Sequence, residues 1–393
     1  MKLINRIYPF SLVQTQLLVL YLFLMFLDYG SYGYYVFYFS LAYLWYHKAF
    51  KLVDNYFLLL LFWGGSYGIT LWYNTGLLNY GAVLMPIINC PVLYLAGKYL
   101  VKQNSIKSLP YIIFIFVLAL AFISMLSIIL DMQENGFLTT AVGRNVPLIG
   151  LSSLSYVAAT GLSSRLMPLV LYFVCIFLPI DKKTKLVFVI SSLIAIICGV
   201  RIQSRTLVLC LVVGVFITTI LNWSKFLFKQ KLYFVLISIL LAISIVYLVN
   251  NYSAELGVIE RFQSDELETG GGRTYRLIAV AENMFNYPLG DMPSNITYAH
   301  NMWFDCARIV GILPFIILVI LSITYARIFF FVIRKIRRNL LLKNMLLMQS
   351  FLLLVVFFCE PILEGIPMLF QYFCLLYGMV VALMKSKYVY YDC

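Results

Sequence analysis

From Leu109 to Leu130 the chain runs for 22 residues without a single charge, and most of its side chains are Leu, Ile, Phe, Val or Ala. A helix rises about 1.5 Å per residue, so a run of this length can cross the roughly 30 Å hydrocarbon core of a bilayer. It is not alone. Apolar stretches of about 16 to 22 residues recur along the chain, separated by short polar or basic connections. Within lipid the backbone must satisfy its own polar groups, which leaves helices or closed barrels. The strict alternation of a barrel strand is not seen. Only 11% of residues are charged, against about 25% in soluble domains, too few to cover a water-facing surface. The sequence predicts an all-α, polytopic integral membrane protein, a single transmembrane domain over residues 1–393.

The apolar runs place about twelve spans. They are expected near Phe10–Leu27, Gly30–Tyr46, Tyr56–Tyr73, Tyr80–Gly97, Leu109–Leu130 and Leu166–Ile180 in the first half. In the second half they fall near Leu186–Val200, Leu207–Leu221, Leu232–Val249, Ile309–Ile333, Met345–Phe358 and Met368–Met384. The first run lacks a small-residue cleavage site and reads as a retained helix. The interval from Asp131 to Ser164 is expected to hold a short interfacial helix near Leu148–Ala159. Charge orients the chain. With the N-terminus inside, inner segments carry 21 of the 29 Lys and Arg and only 3 of the 16 Asp and Glu. By the positive-inside rule both termini are cytoplasmic, and Asn250–Phe304 is one large outer loop between spans nine and ten. The net charge of +13 follows from these basic connections and does not call for nucleic acid.

Several chemistries are excluded by what is missing. Cys90, Cys175, Cys198, Cys210, Cys306, Cys359, Cys374 and Cys393 form no CxxC and never cluster with histidine, so no zinc site is expected. There is no phosphate-binding loop with its lysine, no DxD carboxylate pair for a metal-bound nucleotide sugar, and no serine-hydrolase elbow. No cofactor and no metal are expected.

Positive residues are scarce on the outer side, so those present carry information. Arg201 and Arg205 are four apart, which on one helix places both guanidinium groups on one face. They read either as anchors to lipid phosphates or as a clamp for a diphosphate. Arg273 and Arg276 follow Gly270-Gly271-Gly272, a hinge whose backbone amides can also face an anion. A short helix is expected over Arg276–Phe285, with Leu277, Val280, Ala281 and Met284 on its apolar side, ended by Tyr287-Pro288-Leu289-Gly290. His300, the only outer histidine, reads as a general base or as a structural cap. Asp305 and Arg308 are one turn apart and can pair. His47 sits among inner lysines and is given no role.

These segments together resemble the O-antigen polymerase and ligase superfamily. The resemblance is carried by Ser204-Arg205-Thr206 opening a span, and by Gly272-Arg273 before a short helix and Tyr287-Pro288-Leu289-Gly290. It continues through Ala299-His300-Asn301-Met302-Trp303-Phe304-Asp305, with Gly311 following. It covers roughly residues 201–320; the N-terminal half agrees in topology alone. A departure is the short connection around Arg201, where polymerases often have a longer loop. The resemblance implies glycosyl transfer from an undecaprenyl-diphosphate carrier at the periplasmic face of a bacterial inner membrane. It implies Arg205, Arg273 and His300 as the catalytic set. Arg201 and Arg276 are added from their chemistry, and Asn301 and Asp305 complete the expected substrate contacts. Expected partners are the undecaprenyl-diphosphate-linked oligosaccharide, membrane lipids, and a chain-length regulator and flippase of the same pathway. The favoured reading is a repeat-unit polymerase. One alternative is a ligase that transfers glycan to lipid A–core. Another, of a different class, is a flippase or transporter, which tends to show repeated halves and charges inside its spans.

Overall fold

The computed structural model describes residues 15–28, 32–76, 80–137, 145–149, 156–178, 180–223, 228, 231–232, 235–236, 273–296, 298–336 and 339–386. Most of expected span nine and the loop residues Asn250–Gly272, with the three-glycine hinge, lie outside the described residues.

The chain opens with α1 (Gln16–Leu27), α2 (Tyr32–Tyr46) and α3 (Asn55–Thr75). A short α4 (Tyr80–Leu84) continues through a π-helical turn, Met85–Asn89, into α5 (Cys90–Gln103). Pro86 lies in that turn; it lacks an N–H and so breaks the regular helical ladder. Next come α6 (Leu109–Asn135), strands β1 (Val146–Pro147) and β2 (Tyr156–Val157), and α7 (Ala159–Val170), which tightens into a 3-10 segment, Leu171–Phe177. Then follow α8 (Lys182–Arg201), α9 (Arg205–Asn222), α10 (Arg273–Asn283), α11 (Met302–Val310) and α12 (Ile312–Lys335). The chain closes with α13 (Leu340–Cys359), the one-turn α14 (Ile362–Gly365) and α15 (Pro367–Lys385). Local chemistry sets several starts. The carboxylates of Asp54 and Asp181 accept from the amides of Phe57 and Thr184, capping α3 and α8.

Six helical stretches are long and apolar enough to cross a membrane: Ala82–Gln103, Leu109–Asn135, Lys182–Arg201, Ile312–Lys335, Leu340–Cys359 and Pro367–Lys385. Gln16–Leu27, Ala159–Cys175 and Arg205–Leu221 are shorter apolar helices. The described residues thus form an all-α membrane protein. The outer faces of its helices agree. Leu186, Ile190, Leu193 and Ile197 make one exposed stripe on α8, and Leu313, Ile316, Ile320 and Ile323 make another on α12. Apolar stripes at helical spacing turned outward suit lipid, not water.

The centre of the bundle is the crossing of α5 and α15. From Leu369 to Val381 every residue of α15 is buried. The helices meet at two glycines. A Cβ at Gly97 would lie 2.1 Å from the carbonyl oxygen of Leu375, and one at Gly378 would lie 1.9 Å from that of Tyr94. Only hydrogen fits at either point, so backbone packs on backbone, as small residues permit between membrane helices.

Helix ends fall into two sets. Asp54 before α3, Lys98 on α5 and Lys385 at the end of α15 form one ionic cluster, with Lys98 at 2.5 Å and Lys385 at 3.3 Å from Asp54. At the other set, Arg201 ends α8 beside Asp131 of α6, and Thr206 at the start of α9 meets Glu360 at the end of α13.

Two local expectations are corrected. The ends of the helix expected near Leu148–Ala159 are not helical: Val146 pairs with Val157 and Pro147 with Tyr156 in an antiparallel ladder, and a helix begins at Ala159, while residues 150–155 lie outside the described residues. β-Branched and aromatic side chains at the rungs favour this pairing, and Pro147 disfavours a helix through it. Nor do Arg201 and Arg205 share a helix. Arg201 ends α8, Gln203 turns with φ 54°, and Ser204 caps α9 by accepting from the amide of Leu207. The cap breaks the four-residue register.

Candidate active site

The segment from Arg273 to Gly311 folds as a unit on top of the bundle. α10 turns Val280 and Met284 inward against Met292, Ala299 and Ala307, a small apolar cluster separate from the main core. Tyr287-Pro288-Leu289-Gly290 then docks on Gly311. Gly290 and Gly311 have φ 81° and 84°, the left-handed region open to glycine. A Cβ at Gly290 would lie 2.4 Å from the carbonyl oxygen of Ile309, and one at Gly311 would lie 2.1 Å from that of Pro288. The Ile312 amide donates to the Pro288 carbonyl at 3.0 Å. Asn74, at the end of α3, donates to the carbonyls of Leu289 and Ile309 at 2.8 and 2.9 Å, tying both turns to the bundle. Two sequence motifs that stand about twenty residues apart are therefore one structural joint.

This joint presents His300. Its φ is 53°, an uncommon conformation for a side chain with a Cβ. The buried carboxylate of Asp305 explains it. One oxygen accepts from the amide of Ala299 at 2.7 Å and the other from that of Asn301 at 3.1 Å, gripping the chain on both sides of His300. The side chain of Asn301 caps α11, accepting from the amides of Trp303 and Phe304. Arg308 lies 3.7 Å from Asp305, pairs with Glu364 and sits over the Tyr298 ring. Burial pushes the Asp305 carboxyl up to about 6, against the pull of the Ala299 amide. Asn301 and Asp305, expected as substrate contacts, both hold backbone; the substrate side of the site lies with the neighbouring groups.

Those neighbours come from three other elements. Arg276 of α10 donates to Nε2 of His300 at 3.2 Å. Glu360, fully buried between α13 and α14, places one carboxylate oxygen 4.0 Å from Nδ1 of His300. Its other oxygen lies 3.7 Å from Arg273 and accepts from the Thr206 hydroxyl at 3.4 Å. Arg205 precedes Thr206 as the first residue of α9. Of the expected site residues, Arg273, Arg276 and His300 are thus brought to one place with Glu360 and Thr206, and Arg201 is not among them. Its guanidinium is buried, 2.6 Å from Asp131 and 3.0 Å from the carbonyl of Gly136.

Electrostatically the cluster is a cationic mouth over one buried anion. Burial, then the charges of Arg273 and Arg276, push the His300 imidazole down to about 4. A guanidinium has only donors, so the nitrogen facing Arg276 is unprotonated and the ring proton sits on Nδ1, toward Glu360. An apolar cavity of about 300 Å³, with no cluster residue in its wall, is lined by Trp303 of α11, Leu221 of α9, Tyr325 and Phe329 of α12 and Leu354 and Phe357 of α13. Trp303 donates to Ser322 at 2.9 Å, which fixes it at that wall. Among the described residues no three His, Cys, Asp or Glu side chains gather as metal ligands.

Glu360 was not singled out in the sequence, where Glu360-Pro361 reads as an ordinary turn. A signal was present: an acidic residue directly after an apolar span, at a depth where carboxylates are costly and usually functional. Asn74 gave no comparable signal. No known protein family matches the sequence, and no curated protein does.

Proposed function

We propose that the protein is a membrane glycosyltransferase that polymerises lipid-linked oligosaccharide repeat units, with undecaprenyl diphosphate as carrier. One observation carries the reading: Arg273, Arg276 and His300 converge with the start of α9 on one buried carboxylate, and Trp303 and Phe357, each three residues from that cluster, line an apolar cavity. That combination suits a substrate with a diphosphate joining an isoprenoid chain to a sugar. Arginine forks match phosphate oxygens, and the cavity suits part of the carrier chain.

The chemistry needs few groups. Arg205 and Arg273 hold the carrier diphosphate and stabilise the charge that develops as it leaves. His300 takes the proton of the acceptor sugar hydroxyl at Nε2. The acceptor oxygen bonds to the anomeric carbon while the bond from that carbon to the phosphate oxygen breaks, its electron pair leaving with the diphosphate. Attack opposite the leaving group inverts the anomeric centre. Asp305 and Asn301 keep His300 in its strained place. The reading sets the site at the periplasmic face of the inner membrane, with both termini cytoplasmic and a flippase and chain-length regulator as pathway partners.

The test is purified protein with lipid-linked repeat units, following polymer on a gel. His300→Ala is expected to lower turnover by about two to four orders of magnitude, the usual range for acid–base catalysis. Full polymer formation by that variant would remove the base assignment. No polymer from the parent, with transport of repeat units across vesicles, would replace an enzyme by a transporter.

A further inference from the structure

His300 is badly placed to act as it stands. The nitrogen that must receive a proton already accepts a hydrogen bond from Arg276. The other nitrogen, Nδ1, is buried without a hydrogen-bond partner and stands 4.0 Å from Glu360. Arg276 and Arg273 come from α10, Glu360 from the turn between α13 and α14, and the Tyr298 ring from the same segment, 6.4 Å from the imidazole. The distances from Glu360 to Thr206, Arg273 and His300 are 3.4, 3.7 and 4.0 Å, each longer than a charge-assisted bond of about 2.7 to 2.9 Å. Arg273 and Arg276 are only partly buried, so both can turn to a new anion.

We propose that Arg276 caps the acceptor nitrogen of His300 until a bound diphosphate draws it away, and that Glu360 then holds the ring through its Nδ1 proton. This rests on the diphosphate reading above and adds how the base is switched on. Without substrate, burial and then the charges of Arg273 and Arg276 keep the ring a poor base. A diphosphate brings negative charge to those arginines, so their field on the imidazole weakens as Nε2 is uncovered. Glu360 is a positioning residue here: it touches neither sugar nor phosphate, and it stabilises the imidazolium formed when the hydroxyl proton arrives. The device withholds base strength until the leaving group is in place, so water is not activated in an empty site.

The chain has two histidines, and His47 lies at the opposite set of helix ends, after α2. A His47→Gln background therefore leaves His300 as the single imidazole. The experiment is histidine-labelled protein in detergent micelles, titrated by nitrogen NMR with and without geranyl diphosphate. With the diphosphate, the titration of His300 is expected to move upward by at least about one unit, a tenfold rise in protonated fraction at fixed pH above the midpoint. Arg276→Ala, at a half-buried position, is expected to give part of that rise without ligand and a correspondingly smaller further rise with it. Glu360→Gln is expected to lose the preference for the proton on Nδ1. Phosphorus line broadening reports binding independently. Binding with an unmoved His300 titration would overturn the gate and leave the diphosphate site standing, as would an Arg276→Ala protein that titrates like its parent. No binding by the parent would overturn the diphosphate reading, and the gate with it.

Discussion

Two arginine–carboxylate contacts at the same end of the bundle differ in one respect. Arg201 and Asp131 meet at 2.6 Å with the arginine 1% exposed, and a second bond, from Nε to the Gly136 carbonyl, ties α8 to the end of α6, with Nη1 buried and without a hydrogen-bond partner. Arg273 and Glu360 stand 3.7 Å apart, with the arginine 35% exposed over a carboxylate that is wholly buried. The first is closed on both sides. The second is open on one side: an anion buried below, and a partly exposed arginine above it. A buried pair with tight geometry joins helices, while a loose pair whose cation reaches solvent can exchange its partner. Both arginines lie at the same set of helix ends, and charge alone does not separate them.

The largest effect should come from breaking the closed pair. Arg201→Ala leaves Asp131 buried without its counter-charge and is expected to cost about 3–5 kcal/mol. The thermal midpoint in detergent should fall sharply, while turnover per folded molecule stays near that of the parent. Pairing the change with Asp131→Leu should restore much of the midpoint, since removing both charges is far cheaper than removing one. A collapse of turnover in the folded fraction would move Arg201 into the diphosphate site and erase the distinction.

Changes at the open pair should act the other way. Arg273→Lys keeps charge but loses the planar fork, and turnover is expected to fall about ten- to a hundredfold, some 1.4–2.8 kcal/mol of transition-state stabilisation. The midpoint should hardly change. Equal turnover in the two proteins would reduce Arg273 to a lipid anchor.

The smallest effect sharpens the comparison through pH. His300 is pushed below its ordinary value, to about 4, so its share of stability is complete above about pH 6.5 and is lost as pH falls from there to about 4. Asp305 is pushed up to about 6, so its native state holds the proton more firmly, and stability is lost as pH rises from about 4 through 6. The two slopes oppose each other in one window. His300→Gln should leave the Asp305 slope, with a midpoint that rises on acidification from pH 6.5 to 4.5. Asp305→Asn should leave the opposite slope. Parallel midpoint curves for the two variants would show that neither environment is as described.

The membrane class and the long apolar helices were legible in the sequence, because lipid imposes composition and length on each span separately. So was the short helix before Tyr287-Pro288-Leu289-Gly290, apart from its start at Arg273. What each motif residue does was not legible. Whether Arg201 locks helices or meets a ligand depends on Asp131, seventy positions away. Whether Asp305 touches substrate or backbone depends on where Ala299 and Asn301 turn. Glu360 looked like a turn residue because its meaning comes from Arg273, His300 and Thr206, which packing alone brings to it. Hydrophobic periodicity is local and can be read along a chain. An ion pair is decided by distances across it, and those exist only once the helices have closed on one another.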